Sequence, residues 1–166
     1  RFNWASSKDN LIYTDINDAC QELNYYKKSG GNTIVDVTNI GLGRDPEKLR
    51  TISKKTGVNI VMGSSFYVEL AQKKNYTKDG IESLFETIMK DINYGADNTD
   101  VKSGIIGEVG CSWPWTDNEK KSMEASVSAH KTTGLPLLIH PGRNEYAPLE
   151  IINYIDRLGA DLDNVV

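Results

Sequence analysis

The sequence is poor in the residues that would mark a disulfide scaffold, a zinc knuckle or a nucleic-acid binder. Cys20 and Cys111 are the only cysteines in 166 residues. Two thiols so far apart build neither a disulfide framework nor a C-x-x-C knuckle, and a reducing, cytoplasmic setting is the simplest reading. Net charge is −4, with basic and acidic residues interspersed; no basic stripe is present, so no nucleic-acid partner is expected. No apolar run approaches the ~18 residues of a membrane span, and no signal-peptide core opens the chain, so no membrane partner is expected either. The first residue is Arg1 rather than an initiator Met, from which the natural N-terminus is expected to lie upstream. No GxGxxG follows the first strand and no GxxxxGK[ST] occurs, which takes weight from nucleotide-binding folds. Low-complexity tracts and Gly/Ser linkers are absent too. One domain with a sizeable core is expected from this length.

What is present centres on Gly104-Ile105-Ile106-Gly107-Glu108-Val109-Gly110. Ile105, Ile106 and Val109 suit a short buried strand, and the glycines permit close backbone approach. Glu108 follows the apolar run directly, where an unpaired carboxylate is costly to bury. A metal ion or a cation would offset that cost. Leu137-Leu138-Ile139-His140 is a second apolar run, ending on an imidazole. Two successive strands each finish on a metal-ligand side chain.

The rest of the chain alternates helix and strand. Residues 1–13 read as a loop. Ile16, Ala19, Cys20 and Leu23 share one helical face, which stops at Gly30-Gly31. Residues 33–38 read as a strand, Asp45-Pro46 opens a helix that closes at Gly57, and residues 58–63 form the next strand. A long loop over residues 64–76 carries Phe66 and Tyr67. Ile81, Leu84, Phe85, Ile88, Met89 and Ile92 make the clearest helical stripe. After the Glu108 strand comes an aromatic loop, Ser112-Trp113-Pro114-Trp115. Thr116 and Glu119 then match a capping box, for a helix running to Gly134. Residues 135–140 are a strand, Pro148 starts a helix that ends at Gly159, and Val165-Val166 begin one more strand. This order predicts an α/β fold with a parallel sheet and outer helices, either part of a (β/α)8 barrel or a doubly wound sheet. In a barrel, chemistry sits at the C-terminal strand ends, where Glu108 and His140 fall.

Gly104 to Pro114 and Ile139-His140-Pro141-Gly142-Arg143 resemble phosphotriesterase-related proteins of the amidohydrolase superfamily. Gly41-Leu42-Gly43-Arg44-Asp45, residues 63–68, Asn93-Tyr94-Gly95-Ala96-Asp97 and residues 102–106 match as well. The resemblance covers most of the chain from about residue 14. It implies a (β/α)8 TIM barrel with two divalent metal ions, zinc being expected, at its C-terminal mouth. Residues 1–166 would then be a partial barrel domain, incomplete at both ends and holding about half of the fold, strands two to five. The resemblance makes Glu108 the bridge between both ions and His140 a ligand of one. The lysine enzymes of the family bridge with a carbamylated lysine; Glu here needs no such adduct. The family's His-x-His of strand one, His of strand six and Asp of strand eight have no counterpart in this stretch. His130 does not replace them, because it falls on a helix. Such a piece would have exposed parallel edges and is not expected to fold stably alone.

On this reading the full-length protein is a zinc-dependent hydrolase. The metal pair activates a water against an amide or ester of a small anionic molecule, an N-acyl amino acid or amino sulfonate. Arg143 would clamp the substrate's anion. Tyr67 and Trp113 would form pocket walls, with Asn39 a weaker candidate and Asp36 a structural hydrogen-bonding residue. Cys111 is either a nucleophile or, more simply, a small near-core residue. The expected partner is a small-molecule substrate, and assembly as a homo-oligomer is left open. The rival reading is a non-catalytic barrel that binds a ligand or partner without metal chemistry.

Overall fold

The computed structural model describes residues 14–72 and 78–166. The loop expected over residues 1–13, and residues 73–76 of the long loop, lie outside them. The helices are α1 (Ile16–Lys28), α2 (Pro46–Thr56), α3 (Ile81–Asn93), α4 (Asp117–Thr133) and α5 (Ala147–Arg157). They alternate with β1 (Thr33–Asp36), β2 (Asn59–Ser64), β3 (Ile105–Gly110) and β4 (Leu137–His140). The local causes are those of the sequence. Asp45 caps α2 by accepting from the Lys48 N–H at 3.1 Å, with Pro46 in the first turn. The Thr116–Glu119 capping box opens α4.

The strands lie in the order β1-β2-β3-β4, all parallel. Helices flank a curled, half-open sheet, as in an incomplete (β/α) barrel. β1 is shorter than expected. It stops at Asp36, whose carboxylate accepts the Thr38 N–H at 2.9 Å and turns the chain. Asp36 is therefore a strand-end residue, and its structural hydrogen bond is present. The Val165–Val166 strand start is also present: the Val166 N–H donates to the Leu137 carbonyl at 2.8 Å, and the Ile139 N–H to the Val166 carbonyl at 2.9 Å. At the other side β1 is the edge strand among the described residues, with Ile34 and Val35 exposed. A hollow of about 400 Å³ is lined by α1, β1 and α2. It lies away from the ends of β3 and β4.

The core sits between β3, β4 and helices α3 to α5. Leu84 and Ile88 of α3, Ile106 and Val109 of β3, Met123 of α4 and Ile155 of α5 are all buried in it. Burying each such side chain contributes about 1.5–3 kcal/mol. Ile81, read into the α3 stripe, stays exposed in the first turn. The Arg44 side chain is buried and pairs with Asp91 and Asp97, both at 2.8 Å. It thereby ties the β1–α2 loop to α3 and to the loop beyond. Among the described residues, no helix is long and apolar enough to cross a membrane.

Candidate active site

Glu108 is aimed by a fault in the β3–β4 ladder. Ile106 pairs with Leu137 and Val109 with Ile139, so Gly107 and Glu108 together face the single residue Leu138. A bulge of this kind bends the strand and re-aims a side chain. The Gly107–Glu108 peptide bond is cis. The main chain at Glu108 is held from the opposite side by the end of β1. Its N–H donates to the Val37 carbonyl at 3.2 Å, and its carbonyl accepts from the Asn39 side-chain amide. Gly63 of β2 makes this possible. A Cβ there would lie 2.2 Å from the Gly107 carbonyl oxygen and 3.1 Å from the Val37 Cα. The missing side chain lets β1 and β3 meet across β2, which is the curl of the sheet. Asn39 is fully buried, and its Oδ1 has no hydrogen-bond partner among the described residues.

His140, at the end of β4, meets Glu108 directly. Its Nδ1 lies 3.1 Å from the Glu108 Oε2. Both side chains stay partly open, 41% exposed for His140 and 18% for Glu108. Tyr67 packs edge-on to the imidazole, with ring centroids 5.6 Å apart at 75°. Burial raises the Tyr67 phenol above its ordinary pKa; the Glu108 charge raises it further and Arg143 opposes both. Tyr67, Glu108, His140 and Arg143 thus share one electrostatic neighbourhood. Trp113, in the loop after β3, is 36% exposed. Its Cβ lies 2.8 Å from where a Cβ of Gly142 would be, so the loop after β3 rests on the loop after β4.

A carboxylate and an imidazole are both first-choice zinc donors, and donors about 2.1 Å from one ion sit roughly 3.0–3.4 Å apart. The 3.1 Å separation of Oε2 and Nδ1 fits two donors of one metal. Among the described residues no group of three or more His, Cys, Asp or Glu side chains is placed to hold an ion. Glu108 and His140 are two such side chains, brought together at adjacent strand ends. His130 is buried on α4, its Nδ1 2.7 Å from the Leu135 carbonyl and its Nε2 accepting the Asp161 N–H at 3.1 Å. Both ring nitrogens are committed to holding the end of α4, away from the strand ends.

Cys111 is 2% exposed. Burial, and then the charge of Glu119, push its thiol far above the ordinary range. A protonated, enclosed thiol is no nucleophile, so the near-core reading holds. A maleimide probe on the native protein is expected to label Cys20, which is partly exposed, at least tenfold faster than Cys111. Equal labelling of both would contradict this burial.

A family model described as the phosphotriesterase family matches residues 2–166. The chain belongs to the phosphotriesterase family. This member is 42% identical to the N-acetyltaurine hydrolase of Dictyostelium discoideum, over 100% of its own length and 45% of that protein. It is 39% identical to the Homo sapiens N-acetyltaurine hydrolase, over 99% and 47% of the two chains. Among solved structures, a resiniferatoxin-binding protein from Rhodobacter sphaeroides superposes with a TM-score of 0.91 at 34% identity. That match covers 96% of this family member and 45% of the bacterial chain. A phosphotriesterase homology protein from Escherichia coli, with phosphate in its active site, gives 0.89 at 26% identity, over 94% and 54%. The chain spans about half the length of the curated relatives it matches.

Proposed function

We propose that the full-length protein is a zinc-dependent hydrolase of amides of small anions, with N-acyl amino sulfonates such as N-acetyltaurine as its substrate class. The observation that carries this reading is the convergence of Glu108 and His140 from adjacent strand ends, 3.1 Å apart and open to solvent. Residues 1–166 belong to one barrel domain, whose other metal donors come from outside them. Glu108 would hold two divalent ions and His140 one. When bound, such ions supply Lewis acidity for the acyl carbonyl and lower the pKa of water. Tyr67 packs edge-on to the imidazole and helps fix its orientation. Substrate choice falls to Arg143, three residues past His140. A guanidinium presents a planar fork that suits a carboxylate or sulfonate. The similarity to the N-acetyltaurine hydrolases supports a sulfonate.

The test is the metal content of the purified full-length protein and its release of acetate from N-acetyltaurine. Stoichiometric zinc and turnover support the reading; a metal-free, inactive protein favours a barrel that only binds a ligand. Arg143→Ala separates charge recognition from chemistry. Loss of a charge-assisted hydrogen bond costs about 1.5–3 kcal/mol, or roughly 10- to 100-fold in kcat/KM on the anionic substrate. A neutral N-acyl amine of similar size is expected to lose less than about threefold, because it never engages the guanidinium. Equal losses on both substrates would remove Arg143 from the pocket.

A further inference from the structure

We infer that Glu119 is a positioning residue that locks the loops carrying Tyr67 and Trp113 beside the Glu108–His140 pair. The inference rests on the proposed function for its kinetic part. As a capping box alone, Glu119 needs one bond, to the Thr116 N–H, and that is its longest at 3.3 Å. Its shorter bonds leave the helix. Oε1 accepts the Glu69 N–H at 2.9 Å and the Ser112 hydroxyl at 2.5 Å, while Oε2 accepts the Ser112 N–H at 2.9 Å. The side chain is fully buried. Its charge is met by these donors and by the positive end of α4.

What the carboxylate joins is specific. Glu69 follows Tyr67 by two residues, in the loop after β2. Ser112 precedes Trp113, in the loop after β3. Cys111, next to Ser112, donates its N–H to the His140 carbonyl at 2.9 Å. Ser112 also supports the third loop, since a Cβ on Gly142 would lie 2.7 Å from its carbonyl oxygen. The Asn118 amide adds a second tie to the β2 loop, donating to the Glu69 carboxylate at 2.8 Å. One carboxylate thus holds the tyrosine that packs on His140 and the loop on which the Arg143 turn rests. Buried hydrogen-bonded networks of this kind fix one arrangement rather than several.

The test uses full-length Glu119→Gln, which keeps the volume but replaces one acceptor oxygen by a donor. Amide exchange at Glu69 and Ser112 is expected to quicken at least about tenfold, with the amides of β3 unchanged. KM for N-acetyltaurine is expected to rise about tenfold, with kcat changing less. In a Tyr67→Ala background the same substitution is expected to raise KM less than it does in the wild type, because one of the residues it positions is gone. An equal KM rise in both backgrounds, or unchanged exchange at Glu69 and Ser112, overturns the inference. Should Glu119→Gln fail to fold, Ser112→Ala removes only the hydroxyl contact. Faster exchange at Ser112 and Glu69 in that variant supports the inference, and unchanged exchange overturns it. A wild-type protein without hydrolysis would bring down the proposed function, while the exchange comparison still decides the loop tie.

Discussion

Glu108→Gln in the full-length protein is expected to lose at least one metal ion and to lower hydrolysis by roughly two to three orders of magnitude, the scale of removing a main electrostatic contributor. The substitution keeps the shape of the side chain and removes its charge. A neutral amide neutralises two dications poorly, and it offers one oxygen where the carboxylate offers two. The contact with His140 changes as well. At present the imidazole Nδ1 faces a carboxylate oxygen at 3.1 Å; in the variant it faces either an amide oxygen or an amide NH2. A purely structural ion pair predicts another result. Glu108 is 18% exposed and its partner 41%, so breaking a simple surface pair would cost only about 1 kcal/mol or less. Metal content and turnover per folded molecule would then stay near wild type. One preparation, measured for bound metal, melting temperature and rate, separates the two. A variant that keeps two metals and near-normal turnover ends the bridging assignment. Wild-type activity is also expected to be independent of added bicarbonate, because Glu108 needs no carbamate.

The helices of this chain were legible because each carries its own punctuation. Asp45-Pro46 opens α2, Thr116 and Glu119 open α4, and the α3 stripe repeats at 3.6 residues. The ends of β3 and β4 were legible for a chemical reason: a carboxylate and an imidazole directly after apolar runs are costly unless partnered. The distances between elements were not. The sequence marks Glu119 as a cap, yet its shorter bonds reach Glu69 and Ser112, and nothing local to Glu69 announces that contact. Asn39 was visible only as a polar residue near a strand end. Its bond to the Glu108 carbonyl depends on β1 and β3 meeting across Gly63, which is a property of sheet curvature. The β3 bulge was hidden as well, because register is set between strands. Its one trace in the sequence is the glycine before Glu108.

Gly107→Ala is the sharpest test of that bulge, with Gly104→Ala as its control in the same motif. Gly107 adopts φ 145°, a conformation that L side chains rarely take. An alanine there would also place its Cβ 2.5 Å from the Leu138 carbonyl oxygen and 3.0 Å from the Leu138 Cβ. Neither contact is relieved by turning a rotamer, because the nearest atom is backbone. The strain of the conformation costs about 1–3 kcal/mol, and forced repacking adds about 1–3 kcal/mol. The damage falls between β3 and β4 where Glu108 and His140 converge. In the full-length protein a fall in melting temperature on the order of 10 °C is expected. Because a misplacement of about 1 Å costs roughly 100-fold in rate, the folded fraction is also expected to lose about two orders of magnitude in kcat/KM. Among the described residues, a Cβ on Gly104 would meet only the Val61 Cγ1 at 3.0 Å, the far end of a side chain on the neighbouring strand that can shift. Gly104→Ala is therefore expected to cost less than about 1 kcal/mol and to keep activity within about threefold of wild type. Near-equal effects of the two substitutions would show that β3 tolerates a regular strand at Gly107, and that the bulge does not aim Glu108.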